Sequence, residues 1–398
     1  MMTFLALLLT VLVTVAAACP AENHIFLIHG IGGSARSFGA LGEVLEGRDP
    51  CYRVRTFEYK TGMAGLSARE FSRSFEARVE SLKRAGAIGP EDKISLIMHS
   101  QGGIVGHLWM NRVRARDPET FAQVDAFITL ATPHWGADLA NFGHGVVRTL
   151  PNRWEDLSPL GRGELNEMSF GSATIRDLAA GVPLVFTARG PRPLAVAGLL
   201  GPTAESPRED DAAVPVYSAR PELLRAVVPV ELSERRGRIP ASVFEKTSPV
   251  PFVVVRASHV RLWTFGIASI PRSCLTGCRH PTLRLILDHL AGRRIAEAGP
   301  ELRQYRVTVF VAGDSARIDV AATKLSLPVH FPVPLEERLG GYRGKALLGE
   351  GRAFTFSGIL EAPGRLVVPV RFRIRNLERV IEVPVEGGYS TMLELNLI

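Results

Sequence analysis

One short stretch of this chain has the residue types and order that acyl transfer requires, Met98-His99-Ser100-Gln101-Gly102-Gly103. A buried apolar run enters a serine, small residues follow, and a helical pattern begins. A nucleophilic serine must sit on a sharp strand-to-helix turn with its hydroxyl projecting, and close packing of strand on helix demands small neighbours. The start of the following helix also offers unpaired N–H groups and a positive dipole end to a developing oxyanion. Met98 stands where the G-x-S-x-G pattern has its first glycine. A serine before a glycine is by itself common in turns, so the neighbourhood has to carry the reading.

A second segment, His29-Gly30-Ile31-Gly32-Gly33, ends an apolar run well upstream of the serine. A backbone N–H in such a loop can reach a tetrahedral intermediate from the side opposite the elbow. The expected oxyanion donors are the backbone N–H groups of Ile31 and Gln101. His29 itself reads as a brace for the loop rather than a reacting group.

These pieces need a scaffold of alternating strands and helices. His24–His29, Tyr52–Tyr59, Lys93–His99, Val124–Ala131, Val182–Thr187 and Phe252–Arg256 read as strands. Phe38–Leu45, Ala68–Arg84, the run from Ile104 and Pro281–Leu290 read as helices, with Phe71, Phe75, Val79 and Leu82 at helical spacing. Such alternation predicts a mostly parallel sheet flanked by helices. Gly136–Ala180 breaks the repeat and reads as an insertion capping the site. Arg189–Asp211, rich in Pro and Gly, reads as irregular loop. Beyond Gly299-Pro300 the pattern changes to short alternating runs separated by turn residues, a C-terminal all-β sandwich-like unit over 301–398. The expected organisation is 1–18 as a signal peptide, 19–298 as the catalytic unit with a cap insertion at about 137–180, and 301–398 as the β unit.

Three segments together resemble the lipase branch of the α/β-hydrolase superfamily, in which secreted bacterial triacylglycerol lipases and inositol-deacylase-like proteins share this layout. They are Ile25–Gly33, the serine elbow, and Thr129-Leu130-Ala131-Thr132-Pro133-His134-Trp135-Gly136. Asp156-Leu157-Ser158-Pro159 is similar to part of their cap. The resemblance covers about residues 22 to 292 and stops short of the β unit. It implies the α/β-hydrolase fold and a Ser, Asp, His order along the chain. Asp211, ahead of Val214-Pro215-Val216 and Ser218-Ala219, matches the lipase aspartate, with Asp210 as its neighbouring rival. His259 follows the last sheet strand in a similar Ser-His setting. His107, His134, His280 and His289 are the other histidines weighed, and they read as packed or solvated.

The implied activity is that of a carboxylic-ester hydrolase working through Ser100, His259 and Asp211, with lipid or other apolar acyl esters as substrates. Leu139, Phe142, Val146, Val147, Leu150 and Trp154 of the insertion suit an apolar acyl group or simply form the cap's own core. The same triad also serves amidases, thioesterases and polyester depolymerases, and a binding protein on a retired hydrolase fold is the alternative from another class. No cofactor and no metal cluster is expected, since no ligand spacing stands out.

Composition fits this setting. Of 398 residues, 46% are apolar and 22% charged, within the globular range. The net charge of +7 comes from scattered arginines, without a basic run interleaved with aromatics, so no nucleic-acid partner is expected. A lipid interface is the further contact to expect. Thr3–Ala18 is apolar or small and short for a membrane span of about 20 residues. It reads as a secretory signal, with an uncleaved anchor or lipidation of Cys19 as rivals. The chain is therefore expected to be secreted, or periplasmic in the cell envelope. The four cysteines, Cys19, Cys51, Cys274 and Cys278, suit two disulfides in an exported protein, Cys274–Cys278 locally and Cys19–Cys51 by remainder.

Overall fold

The computed structural model describes residues 19–62, 66–137, 162–185, 190–200, 209–247, 249–260, 265–312, 324–326, 346–348, 351–374 and 377–398. Residues 1–18, expected to be a signal peptide, Asp156–Pro159, and the insertion residues Leu139, Phe142, Val146, Val147, Leu150 and Trp154 lie outside the described residues.

The first layer is a parallel sheet. Its strands are β1 (Asn23–Ile28), β2 (Tyr52–Phe57), β3 (Lys93–His99), β4 (Val124–Leu130), β5 (Arg192–Gly198) and β9 (Phe252–Val255), in the order β2-β1-β3-β4-β5-β9. Every adjacent pair is parallel. A parallel sheet is covered on both faces, so its central strands are apolar on both. β1 shows the consequence: Phe26 and Ile28 pack into one core and Ile25 and Leu27 into the other.

Helices α2 (Ala68–Arg84) and α3 (Gln101–Arg116) cover the first face. Ser67 caps α2, its side chain accepting from Glu70 N–H. Phe71, Phe75, Val79 and Leu82 then form its buried stripe. Phe75 meets Phe26, Phe57 and Trp109 with centroids 5.0 to 5.2 Å apart, all near edge-on. Helix α1 (Leu41–Glu46) and the helix Pro281–Leu290 (α8) cover the opposite face. The short α4 (Pro118–Gln123) leads into β4, α5 (Arg162–Met168) and α6 (Ala173–Val185) follow the insertion, and α7 (Val216–Ala219) follows Asp211.

Two assignments made from sequence are corrected. Val182–Val185, read as the start of a strand, belongs to α6. A short apolar run does not distinguish strand from helix, and here Ile175, Leu178, Ala179 and Val182 continue a helical spacing. The strand that fills this place in the sheet is β5, inside the stretch read as loop. Pro193 made it look broken. It pairs across to Phe127 of β4, while the β9 pairing begins only at Ala195, so the proline sits where one side of the strand has no ladder to lose.

The β layer holds two mixed sheets. Its strands are β6 (Leu223–Val230), β7 (Arg236–Ile239), β8 (Glu245–Lys246), β10 (Gln304–Ala312), β11 (Lys324–Ser326), β12 (Ala346–Leu348), β13 (Gly351–Ile359), β14 (Arg365–Ile374), β15 (Leu377–Glu386) and β16 (Ser390–Leu397). The orders are β12-β13-β10-β16-β6-β8 and β11-β14-β15-β7. Val307, Val309 and Leu393 from one sheet and Phe372, Ile381 and Val383 from the other share one core. β6, β7 and β8 precede β9 in the chain. The polypeptide therefore visits the β layer, returns to lay down the last parallel strand, and goes back. Arg220 marks the junction, its guanidinium lying over Phe252 at 4.2 Å and Tyr389 at 4.3 Å. Disulfides join Cys19 to Cys51, ahead of β1 and β2, and Cys274 to Cys278, ahead of α8. Among the described residues no helix is long and apolar enough to cross a membrane.

Candidate active site

Ser100 occupies the turn between β3 and α3 with φ 55° and ψ −127°. A side chain with positive φ is strained, and the surrounding packing enforces it. Ser100 N–H donates to the Leu130 carbonyl at 3.0 Å, and the Ser100 carbonyl accepts from Gly103 N–H at 3.0 Å. The helix start is pressed against β1: a Cβ on Gly102 would lie 2.2 Å from the Ile28 carbonyl oxygen. A Cβ on Gly103 would lie 2.0 Å from Thr132 Oγ1. The departure at Met98 is accommodated further along the helix. A Cβ on Gly106 would fall 2.1 Å from Met98 Sδ, so the small residue missing from the strand is supplied by the helix.

His259 and Asp211 come to the serine from two later loops. Asp211 follows β5, is fully buried, and accepts from Ala213 N–H at 3.1 Å and Val214 N–H at 2.8 Å through Oδ1. Its Oδ2 lies 2.9 Å from His259 Nδ1. His259 Nε2 lies 2.9 Å from Ser100 Oγ. The backbone repeats the link, His259 N–H donating to the Asp211 carbonyl at 2.9 Å. An acceptor-only carboxylate at Nδ1 fixes the proton there and leaves Nε2 facing the hydroxyl as an acceptor. That arrangement can remove a proton from Ser100.

The rivals are accounted for. Asp210 turns its Oδ1 to Ala212 N–H at 3.0 Å and stabilises the turn. His280 caps α8 through Thr282 N–H, and His289 meets the Arg192 carbonyl at 2.9 Å. His107 and His134 are buried with ring centroids 6.1 Å apart, and neither lines the cavity at Ser100. His29 makes a 2.9 Å contact from Nδ1 to the Gly30 carbonyl and stacks on Tyr59 at 4.3 Å, a brace under the glycine loop. That loop approaches closely, since a Cβ on Gly30 would stand 2.6 Å from Ser100 Cβ.

His99 was not singled out from sequence. Its Nε2 sits 3.1 Å from the His259 carbonyl, and the two rings are 4.8 Å apart. Burial, reinforced by the adjacent His259, holds its pKa well below the ordinary value. It is therefore a neutral donor steadying the histidine loop. No motif marks it beyond its place before the serine. Glu164, wholly buried, is a second unforeseen polar residue near the elbow. A lone acid on a short helix carries no sequence signal.

Ser100, His259, Asp211 and Ile31 all border a cavity of about 580 Å³. Its walls are mainly apolar, with Leu165 and Met168 from α5, Pro133 and Val214 in the lining and Arg36 among its polar residues. This is the size and character of a small-molecule site. The N–H of Gln101, first in α3, has no partner within the helix. Among the described residues, no group of three or more His, Cys, Asp or Glu side chains could hold a metal ion.

Residues 21–154 match the family described as "Putative serine esterase (DUF676)". No curated protein matches the chain in sequence. Among solved structures, phospholipase PlaB from Legionella pneumophila is similar over 94% of this chain and 93% of its own, with a TM-score of 0.64 at 16% identity. The same phospholipase in complex with thio-NAD gives a TM-score of 0.65 at 14% identity, over 94% and 93%. The lin2722 product of Listeria innocua is 16% identical over 50% of this chain and 77% of its own, with a TM-score of 0.35. At these identities the phospholipase likeness is one of fold, and it extends through the β layer. With its parallel sheet, its serine elbow and the esterase-family match of residues 21–154, the chain has the α/β-hydrolase fold.

Proposed function

We propose that this chain is a serine hydrolase that cleaves carboxylic esters of lipid or other apolar acyl groups through an acyl-enzyme. The observation that carries the reading is the unbroken line Asp211–His259–Ser100, with both contacts at 2.9 Å, opening into an apolar cavity. His259 Nε2 takes the Ser100 proton as Oγ attacks the ester carbonyl. Asp211 stabilises the imidazolium. The N–H groups of Ile31 and Gln101 receive the oxyanion, each worth about 3 to 4 kcal/mol in comparable enzymes. The imidazolium then protonates the leaving alkoxide, and water, deprotonated by the same histidine, releases the acid and restores Ser100. The apolar walls favour an acyl chain, and a shared fold with a phospholipase supports lipid esters. We further propose export, with removal of residues 1–18, a setting in keeping with the two disulfides.

The test pairs fluorophosphonate labelling with a series of p-nitrophenyl esters from short to long chain. Wild-type protein is expected to be labelled and to prefer longer chains, with Ser100→Ala losing both labelling and hydrolysis. A folded wild type that takes no label and cleaves no ester would leave a binding protein on this fold as the better reading.

A further inference from the structure

One buried polar chain takes no part in these reaction steps, and it runs directly beneath the two segments that carry the oxyanion donors. Gln101 has no exposed side-chain surface. Its amide nitrogen donates to Glu164 Oε2 at 3.0 Å, and its amide oxygen lies 3.3 Å from the Tyr59 hydroxyl. The single Tyr59 hydroxyl proton is shared between that amide oxygen and the His29 carbonyl, the latter at 2.5 Å. The Tyr59 backbone N–H also reaches His29 Nε2, and the two rings stack. The second oxygen of Glu164 accepts from Gly62 N–H at 2.7 Å.

The chemistry of this chain is costly for a merely structural filler. Glu164 is fully buried, and among the described residues no lysine or arginine pairs with it. Burial raises its pKa, against the two hydrogen bonds it accepts. An apolar side chain at this position would avoid the desolvation. What the carboxylate supplies is direction: one oxygen fixes the β2–α2 loop and the other fixes the side chain of the residue that follows the nucleophile.

We propose that Glu164 is a positioning residue for the oxyanion site, holding Gln101 directly and the His29–Gly30 corner through Gln101 and Tyr59. The N–H groups of Gln101 and Ile31 lie on different segments, and this chain keeps their separation constant. The inference rests on the serine-hydrolase reading. It also ties the site to α5, whose Leu165 and Met168 line the cavity, so that the wall meeting the acyl group and the brace behind the oxyanion donors share one helix.

The test uses Glu164→Leu, Glu164→Gln and Tyr59→Phe, with kcat, KM and melting temperature measured on one p-nitrophenyl ester. Leucine removes the acceptor. Glutamine can restore the chain. A flip of the Gln101 amide lets its oxygen accept from the introduced amide nitrogen and its own nitrogen donate to the Tyr59 oxygen, while the introduced amide oxygen still accepts from Gly62. Glu164→Leu is expected to lower kcat about tenfold, less than outright loss of a donor, with KM within about twofold of wild type. Glu164→Gln should stay within about threefold of wild-type kcat. In Glu164→Leu combined with Gln101→Leu, the loss should equal that of Gln101→Leu alone, since Glu164 acts through that side chain. If Glu164→Leu does not fold, Tyr59→Phe carries the test, with the same fall in kcat at constant KM expected. Unchanged kcat in a folded Glu164→Leu or in Tyr59→Phe, or equal losses in Glu164→Leu and Glu164→Gln, overturns the inference and leaves the hydrolase reading intact. A wild type inactive towards both ester and fluorophosphonate overturns the reading, and the inference with it.

Discussion

Replacing Asp211 by asparagine tests the acid–base assignment with little disturbance of shape. The side chain is wholly buried and its two oxygens have different duties. Oδ1 accepts two backbone N–H groups, from Ala213 and Val214, and Oδ2 faces His259 Nδ1. An asparagine must keep its carbonyl towards the two N–H donors, because the reverse orientation would set its NH₂ against both. Its nitrogen then points at His259 Nδ1 and donates to it. The imidazole proton is driven to Nε2, which faces Ser100 Oγ and can no longer accept the serine proton.

An inverted tautomer of this kind costs about 10⁴-fold in kcat in serine proteases with the same constellation. Asp211→Asn is therefore expected to lose about 10⁴-fold in kcat on an activated ester, with a comparable fall in the rate of fluorophosphonate labelling. The fold should survive, since both turn hydrogen bonds remain. Asp211→Ala would strip them and leave the buried Val214 N–H unpaired at a cost of about 1 to 3 kcal/mol, with a smaller loss at the half-buried Ala213 N–H. Asp210→Asn is the control. Asp210 serves its own turn, its Oδ1 accepting from Ala212 N–H, and an amide oxygen can do the same, so kcat should stay near wild type. Activity of Asp211→Asn within about tenfold of wild type would refute the reasoning, as no reversed tautomer is compatible with it.

Two further perturbations address the scaffold. Gly106→Ala should destabilise by about 1 to 3 kcal/mol, because the new methyl would meet Met98 Sδ at 2.1 Å. Met98→Ala in the same chain should relieve it, so thermal denaturation of the double variant should show less loss than the sum of the two singles; additive losses would contradict the packing. For pH, His107 is buried and burial lowers its pKa from 6.5 to about 4. A base depressed in the folded state keeps its full stability contribution above the unfolded pKa and loses it as pH falls towards the folded value. His107 alone should account for roughly 3 kcal/mol lost between about pH 7 and pH 4. Urea titrations of His107→Leu across that window should show a shallower loss than wild type, and an unchanged slope would contradict the assignment.

How much of this was legible in the sequence depended on the range of the forces involved. The elbow was readable because its constraints fall on adjacent residues. Gly102 and Gly103 are forced by contacts to Ile28 and Thr132 that any tight strand–turn–helix creates. Asp211 and His259 were placed by resemblance, through Val214-Pro215-Val216 with Ser218-Ala219 and through Ser258-His259, and in the structure Asp211 meets His259 and His259 meets Ser100. β5 was misread because Pro193 signals a break, and only the pairing partners say which side of the strand is unoccupied. β6, β7 and β8 were not foreseen for a related reason. Short strands that pair with segments far along the chain, such as Leu223 with Ser390, leave no signature in their own neighbourhood.

Glu164 marks the far end of that scale. Nothing in Arg162–Met168 distinguishes its glutamate from the solvated acid expected on a surface helix, and the neighbouring Glu167 offers the same residue type. What separates them is the partner set. Glu164 meets Gln101 and Gly62, while Glu167 meets the backbone N–H of Ala68 and lies 3.7 Å from Arg69. Both are shifted upward by burial, yet only Glu164 bonds Gln101, the residue next to Ser100. The same physics that lets the elbow be read from six residues makes its brace unreadable. The elbow writes its packing demand into adjacent small residues, whereas the brace arises where the return from a long insertion is laid against α2 and α3. A positioning role of this kind is therefore to be sought in buried carboxylates without a counter-cation beside a reacting loop, and it separates from ordinary core filling only through the glutamine rescue that geometry predicts for Glu164.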